Sequence, residues 1–123
     1  MIINYLKGRI RSFGFAFQGI ATLFRTQPNA AIHLVAAVLA VALGFCLHIS
    51  SLEWCVIVII IGAVLAAEAL NSAVEMLADK VSPEFSPLIK NAKDLAAAAV
   101  LFLAFAAIII AAIIFIPKII MLN

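Results

Sequence analysis

Residues 95–116 read LAAAAVLFLAFAAIIIAAIIFI, a run of 22 residues that contains no polar side chain. As an α-helix at ~1.5 Å per residue, the run is about 33 Å long, enough to cross the hydrocarbon layer of a bilayer, which is about 30 Å thick. The whole chain is 67% hydrophobic and 11% charged, whereas soluble domains are about half apolar and about a quarter charged. Because so small a core cannot bury this excess, the composition predicts an all-α integral membrane protein.

Two further runs are long enough to cross a membrane. Residues 30–49 contain no Asp, Glu, Lys or Arg, and two histidines are their only basic side chains. Residues 52–70 form the next run; Ser50, just before it, and Glu53, near its start, have the spacing of a capping box at the start of a helix. Helical periodicity continues from there to Asp79, so this helix is expected to extend beyond the membrane. The three runs predict three transmembrane spans in a single domain of 123 residues.

The first 27 residues have the periodicity of an amphipathic helix. Their apolar side chains recur at alternating spacings of three and four, which forms one stripe on a helix: Ile3, Leu6, Ile10, Phe13, Phe17, Ile20 and Phe24. Polar side chains form a neighbouring stripe: Lys7, Arg11, Gln18 and Arg25. A basic amphipathic helix of this kind lies on the membrane surface. Because Pro28 disfavours helix at the preceding residue, we expect residues 1–27 to end in a break near Gln27.

The basic residues predict the orientation of the chain. Seven of the eight lie before the first span or between the second and third: Lys7, Arg9, Arg11, Arg25, Lys80, Lys90 and Lys93. Cytoplasmic loops of membrane proteins are enriched in Lys and Arg, so the N-terminus is predicted to be cytoplasmic and the C-terminus to lie outside. The net charge of +2 is too small to indicate a nucleic-acid partner.

The segment 68–79, EALNSAVEMLAD, places five polar side chains on one face of a helix. At ~100° per residue, four of them lie within about 60° of Glu68: Asn71, Ser72, Glu75 and Asp79. A charged carboxylate at the bilayer centre costs about 2.5–3.5 kcal/mol on insertion scales, and such residues usually face a bundle interior or a water-filled site. This polar stripe therefore indicates a functional site. The alternative is a polar seam that only holds helices together.

A second polar cluster, at residues 90–94, precedes the third span. Lys90, Lys93 and Asp94 fit phosphate and metal binding at the cytoplasmic edge, although Lys90 and Asp94 also suit an ordinary i,i+4 pair among anchoring charges. Carboxylates, cations and a general base together favour phosphoryl transfer. The five glycines form no phosphate-binding loop of known pattern, so a nucleotide site must be of another kind.

Two non-enzymatic functions compete with this interpretation. An ion- or proton-translocating oligomer would use Glu68 as a protonatable site and would not need Glu75 or Lys93. A regulatory or assembly protein would use the polar stripe only for helix association and would tolerate amides at both glutamates. The length of the stripe and the basic cluster beside it favour the enzyme over both.

Longer motifs resemble a known family. The segments are Glu68-Ala-Leu-Asn71-Ser72-Ala-Val-Glu75 with Asp79, Asn91-Ala-Lys93-Asp94-Leu-Ala-Ala, and Phe115-Ile-Pro117-Lys118. They are similar to the prokaryotic diacylglycerol kinase family, which includes undecaprenol kinases, and Asn29-Ala-Ala-Ile-His33 resembles that undecaprenol kinase branch. The resemblance implies a homotrimer in the bacterial cytoplasmic membrane, with active sites between subunits. It also implies Mg²⁺-ATP as donor and a lipid alcohol, undecaprenol or diacylglycerol, as acceptor.

The resemblance also implies roles for individual residues. Glu68 would be the general base, Asn71 would support it, and Glu75 would bind the metal ion. Glu75 would also contact the nucleotide. The other nucleotide contacts would be Phe15, Glu84, Phe85, Ser86, Lys93 and Asp94.

Three positions depart from the family pattern or have two possible roles. Gln27 stands where the family usually has a glutamate that completes the metal site, and an amide is a weaker ligand for Mg²⁺. Ala31 replaces a common basic residue, and Arg9 or Arg11 would supply that phosphate contact instead. His33 either positions the substrate or lies at the membrane interface as an amphipathic side chain.

Overall fold

The computed structural model describes residues 1–123 and contains four α-helices. Helix α1 spans Ile2–Thr26, α2 spans Pro28–Cys46, α3 spans Ser51–Val81 and α4 spans Pro87–Met121. Helices α2, α3 and α4 are each long and apolar enough to cross a membrane. The prediction of an all-helical chain with three such helices is confirmed, and these helices indicate a membrane protein.

The break between α1 and α2 falls at Gln27, as predicted. Gln27 has extended backbone angles, φ −119° and ψ 102°, and Pro28 follows as the first residue of α2. Proline suits this position because the first turn of a helix has no partner for its N–H groups. Helix α1 buries only Leu23 and contacts α2 and α3 but not α4. Most of α1 therefore extends away from the three-helix bundle.

The connection between α2 and α3 is tightly specified. His48 adopts a left-handed φ of 53°, and the N–H of Ile49 donates to the Gly44 carbonyl over 3.2 Å, which is the pattern of a Schellman helix end. The predicted capping box is present: the Glu53 N–H donates to the Ser50 hydroxyl, and the Ser50 N–H donates to the Glu53 carboxylate. Two helix ends are therefore satisfied within a few residues.

Helices α3 and α4 form an antiparallel hairpin joined by residues 82–86. An ion pair closes each end: Lys93 Nζ lies 2.9 Å from Asp79 Oδ1, and Lys118 Nζ lies 3.0 Å from Glu53 Oε2. Along α4 the two lysines are about 38 Å apart at ~1.5 Å per residue. Because hydrocarbon is about 30 Å thick, these pairs bracket a membrane-sized length of apolar helix.

Helices α3 and α4 extend further than the apolar runs that predicted them, whereas α2 ends at Cys46, three residues before the end of the predicted span 30–49. Helix α4 begins at Pro87 and continues through Pro117 to Met121, whereas the apolar run covers residues 95–116. Hydropathy marks only the part of a helix that is solvated by lipid, so its polar ends escape that signal. Pro117 lies in the last turns of α4 and lacks the N–H that would bond to the Ile113 carbonyl, and the helix continues through it.

The chain buries few of its residues. Only 13 of 123 are buried, so most apolar side chains face outwards, as expected where lipid replaces a large core. One buried cluster lies near the α2–α3 connection and consists of Ile49, Ile57, Ile114 and Phe115. The other notable feature is polar: Glu68 and Ser72 are the buried polar side chains of the chain. Both belong to the polar stripe.

Candidate functional site

Glu68 lies on the packed face of α3, between α2 and α4. Its side chain is only 4% exposed, and its Oε1 lies 3.1 Å from Nε2 of His33 on α2. A buried carboxylate is costly unless a hydrogen-bonding or charged partner compensates it. His33 is that partner, so the histidine faces the bundle rather than only the membrane interface.

The next turn of α3 adds two polar groups. The Ser72 hydroxyl donates to the backbone carbonyl of Glu68 over 2.9 Å, an i−4 bond that leaves the Glu68 carboxylate untouched. Asn71 Oδ1 is buried and has no hydrogen-bond partner. Since the structure records no hydrogen bond between Asn71 and Glu68, the expected support of one by the other stays a prediction. Asn71 instead offers an open acceptor to a ligand that can donate a hydrogen bond.

These side chains share one opening in the bundle, here called the polar pocket. It has a volume of about 280 Å³, and its polar lining includes Asn29, His33, Glu68 and Asn71. Val100 of α4 forms part of the opposite wall and lies about 8 Å along the helix from Leu95, where the apolar run begins. Glu68 is therefore level with the apolar run of α4, and its side chain is almost fully covered by protein.

An apolar groove adjoins the polar pocket. It has a volume of about 300 Å³, and 12 of its 13 lining residues are hydrophobic, with alanines on α2 and α4 and branched side chains on α3. His33 and Ala104 line both cavities. A ligand with a polar head and a hydrocarbon chain fits this pair of cavities, since the head and the chain have separate surroundings.

The polar stripe continues to the Lys93 side chain on α4. The hydrogen bond that Lys93 donates to Asp79, just outside the apolar runs, raises the pKa of Lys93, and the charges of Asp79, Glu75 and Asp94 add to this effect. The predicted i,i+4 pair is also formed, with 2.6 Å between Lys90 Nζ and Asp94 Oδ2. The basic cluster thus lies against the solvent-exposed end of the stripe.

The α3–α4 connection and the basic cluster enclose a second polar cavity, here called the turn pocket. Its volume is about 470 Å³, and eight of its ten lining residues are not hydrophobic. Five residues that the resemblance assigned to nucleotide contact line it: Glu84, Phe85, Ser86, Lys93 and Asp94. The structure therefore brings these five predicted residues together in one place.

Two other predicted site residues lie elsewhere. Phe15 is on α1 and 62% exposed, and α1 makes no contact with α4. Gln27 is half-buried at the break between α1 and α2. Within one chain, neither Phe15 nor Gln27 lines the turn pocket.

The residues of one chain do not form a closed metal site. No three histidine, cysteine, aspartate or glutamate side chains come close enough to hold an ion. Mg²⁺ at nucleotide sites, however, is usually bound by one or two carboxylates together with the phosphates. Glu75 is half-buried and lies near Lys93, so the donor set fits an ion that arrives with a nucleotide.

Sequence reasoning missed two contacts between helices. The partnership of His33 with Glu68 was not predicted, although a buried carboxylate on α3 calls for a compensating group on a neighbouring helix. The pair of Lys118 with Glu53 was also missed. Its signal was the lone basic residue near the end of the chain and the single acidic residue at the start of α3.

Comparison with known proteins identifies the family of this chain. The sequence model of the prokaryotic diacylglycerol kinase family matches residues 14–115. An undecaprenol kinase of Bacillus subtilis is 38% identical over 115 residues, which is 94% of this chain and 94% of the relative. A diacylglycerol kinase of Synechocystis is 34% identical over 90% of this chain and 64% of its own length. A diacylglycerol kinase of Pseudomonas aeruginosa is 33% identical over 76% of each. The chain therefore belongs to the prokaryotic diacylglycerol kinase family and is a lipid kinase.

Proposed function

We propose that the chain transfers the γ-phosphate of ATP to the primary hydroxyl of a membrane lipid alcohol, at the cytoplasmic face of a bacterial inner membrane. The observation that supports this most directly is the position of Glu68. Its buried carboxylate lies in a polar pocket that shares His33 with an apolar groove. A lipid alcohol has matching chemistry, since its hydroxyl suits the pocket and its chain suits the groove.

The polar pocket suits the accepting end of the reaction. The lipid hydroxyl donates its proton to the Glu68 carboxylate, the general base, as the hydroxyl oxygen forms a bond to the γ-phosphorus. The bond between that phosphorus and the β,γ-bridging oxygen breaks, and ADP leaves. Asn71 lines the same pocket, and its side-chain N–H groups would orient the hydroxyl by donating to the hydroxyl oxygen.

The turn pocket suits the donor. Phosphoryl transfer depends mainly on positioning and on cations around the phosphates. Lys93 provides such a cation, and Glu84, Phe85 and Ser86 form the wall beside it. Mg²⁺ bound with the nucleotide neutralises phosphate charge; Glu75 is the carboxylate proposed to hold it, with Gln27 as a neutral and weaker ligand.

The proposed assembly is a homotrimer with shared sites. Phe15 lies on a helix that does not contact α4 of the same chain. In a trimer, Phe15 of one subunit would reach the nucleotide bound at the turn pocket of a neighbouring subunit, and the fold of each chain would stay as it is. The membrane-surface position of α1 is part of the same proposal, since its exposed apolar side chains would enter the interface.

The proposed acceptor is undecaprenol, with diacylglycerol as the second candidate. The B. subtilis relative is named for undecaprenol and matches this chain over 94% of both lengths. The Asn29-to-His33 segment and the Pro117-Lys118 pair also resemble that branch. Both lipids have a primary hydroxyl, so the chemistry at Glu68 is the same for either.

Phosphate transfer in reconstituted membranes tests the function. Radiolabelled ATP and Mg²⁺ are supplied with undecaprenol and diacylglycerol side by side, and the labelled lipids are separated. We expect label in undecaprenol, and a loss of about 10²–10⁴-fold in Glu68→Gln, the range for a general base.

The matched control is Glu53→Gln, the same change at the opposite end of α3. Glutamine also serves in a capping box, so this variant should remain active. An active Glu68→Gln variant would contradict the assignment of the base. Absence of label in both lipids from a correctly assembled protein would contradict the function itself.

A further inference from the structure

His33 is the partner of the Glu68 carboxylate. Of the four ion pairs in the structure, one reaches Glu68, and its other member is His33. Helix α4 supplies no alternative, because residues 95–116 contain no polar side chain. On α3, the next carboxylate is Glu75, about 10 Å along the helix. The Ser72 hydroxyl is engaged with a backbone carbonyl.

The contact fixes one of the two carboxylate oxygens. His33 Nε2 lies 3.1 Å from Glu68 Oε1, within ion-pair distance, so this is the carboxylate oxygen that faces the imidazole. Glu68 Oε2 is then the oxygen left to accept a proton. Because the side chain is 4% exposed, removal of the imidazole would leave that oxygen without a protein partner.

His33 also lies where the two cavities meet. It lines both the polar pocket and the apolar groove, and its own side chain is 24% exposed. A lipid chain in the groove would therefore bring its hydroxyl end to the level at which the Glu68 carboxylate is held. The residue that contacts the Glu68 carboxylate thus also lines the junction of the two cavities, where the lipid hydroxyl would lie.

We infer that His33 is a positioning residue of the phosphoryl-transfer reaction, which holds the Glu68 carboxylate turned with Oε2 towards the lipid hydroxyl. The inference rests on the proposed function and deepens it. His33 acts through Glu68 and does not take part in bond formation. Its removal should lower kcat, since the base is misplaced in every turnover, and should leave the KM for ATP unchanged.

Three substitutions at one position separate this role from a general need for polarity. His33→Leu keeps apolar packing and removes the donor. In His33→Gln, the amide nitrogen is three bonds from Cβ, as Nε2 is in histidine, so the bond to Glu68 is retained. In His33→Asn, the same amide group is one bond closer to the backbone and falls short. His48→Gln, at the α2–α3 connection, is the matched control.

The measurements are kcat and the KM for ATP in reconstituted membranes, with oligomer assembly checked by size-exclusion chromatography. We expect His33→Leu and His33→Asn to lose about 10- to 100-fold in kcat, the worth of one hydrogen bond to a charged group. His33→Gln should remain within about threefold of the unchanged chain, because its amide restores that bond. The KM for ATP should not change in any of them.

Several outcomes would overturn the inference. They are full kcat in His33→Leu, equal loss in the glutamine and asparagine variants, or a raised KM for ATP with unchanged kcat. Because the two amides have the same polarity, a folding defect would not separate them. If the unchanged chain transfers no phosphate, the proposed function fails and the inference fails with it. If the unchanged chain is active and His33→Leu is equally active, the inference alone fails.

Discussion

The carboxylates of the polar stripe differ in their exposure along α3. Glu68 is buried, Glu75 is half-buried and Asp79 is exposed. Carboxylates on one face of α3 thus range from buried within the bundle to exposed to solvent over about three helical turns. A reaction between a lipid and a water-soluble nucleotide needs such a gradient, because each reactant must reach one end of the site.

Lys93 is the residue that joins this stripe to the turn pocket. Lys93→Met should lower kcat/KM for ATP by about 10- to 100-fold, because one charge-assisted hydrogen bond to phosphate is lost. The defect should appear mainly as a higher KM for ATP, measured in reconstituted membranes. Lys80→Met, an exposed lysine in the last turn of α3, is the matched control and should behave as the unchanged chain. Equal activity of both variants would exclude a phosphate contact at Lys93.

The residues of the stripe were predictable, and their partners were not. Helical periodicity alone placed Asn71, Ser72 and Glu75 on the face of Glu68, because a 3.6-residue repeat is a local property. The contact of His33 with Glu68 depends on how α2 packs on α3, which no local pattern specifies. The ion pair of Lys118 with Glu53 likewise depends on how α4 packs on α3, because the two residues are far apart in sequence.

At the scale of elements, the end of α2 is held by a close approach to α3. A Cβ added to Gly44 would lie 2.6 Å from Cη2 of Trp54 and 3.1 Å from Cδ1 of Ile49. The indole cannot retreat freely, since it packs against Phe45 with ring centroids 4.8 Å apart. Glycine is therefore required here by the space available, since its backbone φ is not positive.

Gly44→Ala should destabilise the protein by about 1–3 kcal/mol, the usual range for overpacking. The measurement is the thermal unfolding midpoint in detergent, compared with that of Gly62→Ala. Gly62 lies in α3 with nothing within 4 Å of an added Cβ, so alanine there should be neutral or stabilising by up to about 1 kcal/mol. A Gly44→Ala variant as stable as Gly62→Ala would mean that Trp54 moves aside without cost.

For the whole molecule, hydropathy predicted the number of spans correctly. It did not predict where α3 and α4 begin and end, which the structure shows. Each ion pair between these helices lies beyond the apolar run, one at Lys93 and one at Lys118. Their separation of about 38 Å exceeds the hydrocarbon thickness of about 30 Å. Both pairs are therefore expected in the headgroup regions, on opposite sides of the membrane.

The side on which each pair lies follows from the basic residues, and it decides whether the turn pocket can meet cytoplasmic ATP. Seven of eight lysines and arginines belong to the end that includes Lys93, so that end is expected in the cytoplasm. Cysteine accessibility in intact bacterial cells measures this, in a background where Cys46 and Cys55 are replaced by alanine. A membrane-impermeant thiol reagent should label Ser51→Cys from outside.

Lys80→Cys, at the other end of α3, is the matched position and should react only after the cells are permeabilised. Both positions are exposed on the same helix, so a difference between them reports the side of the membrane rather than local burial. The reverse pattern would place the turn pocket outside, where no ATP is supplied. It would contradict both the orientation and the proposed donor, even if the purified protein were active.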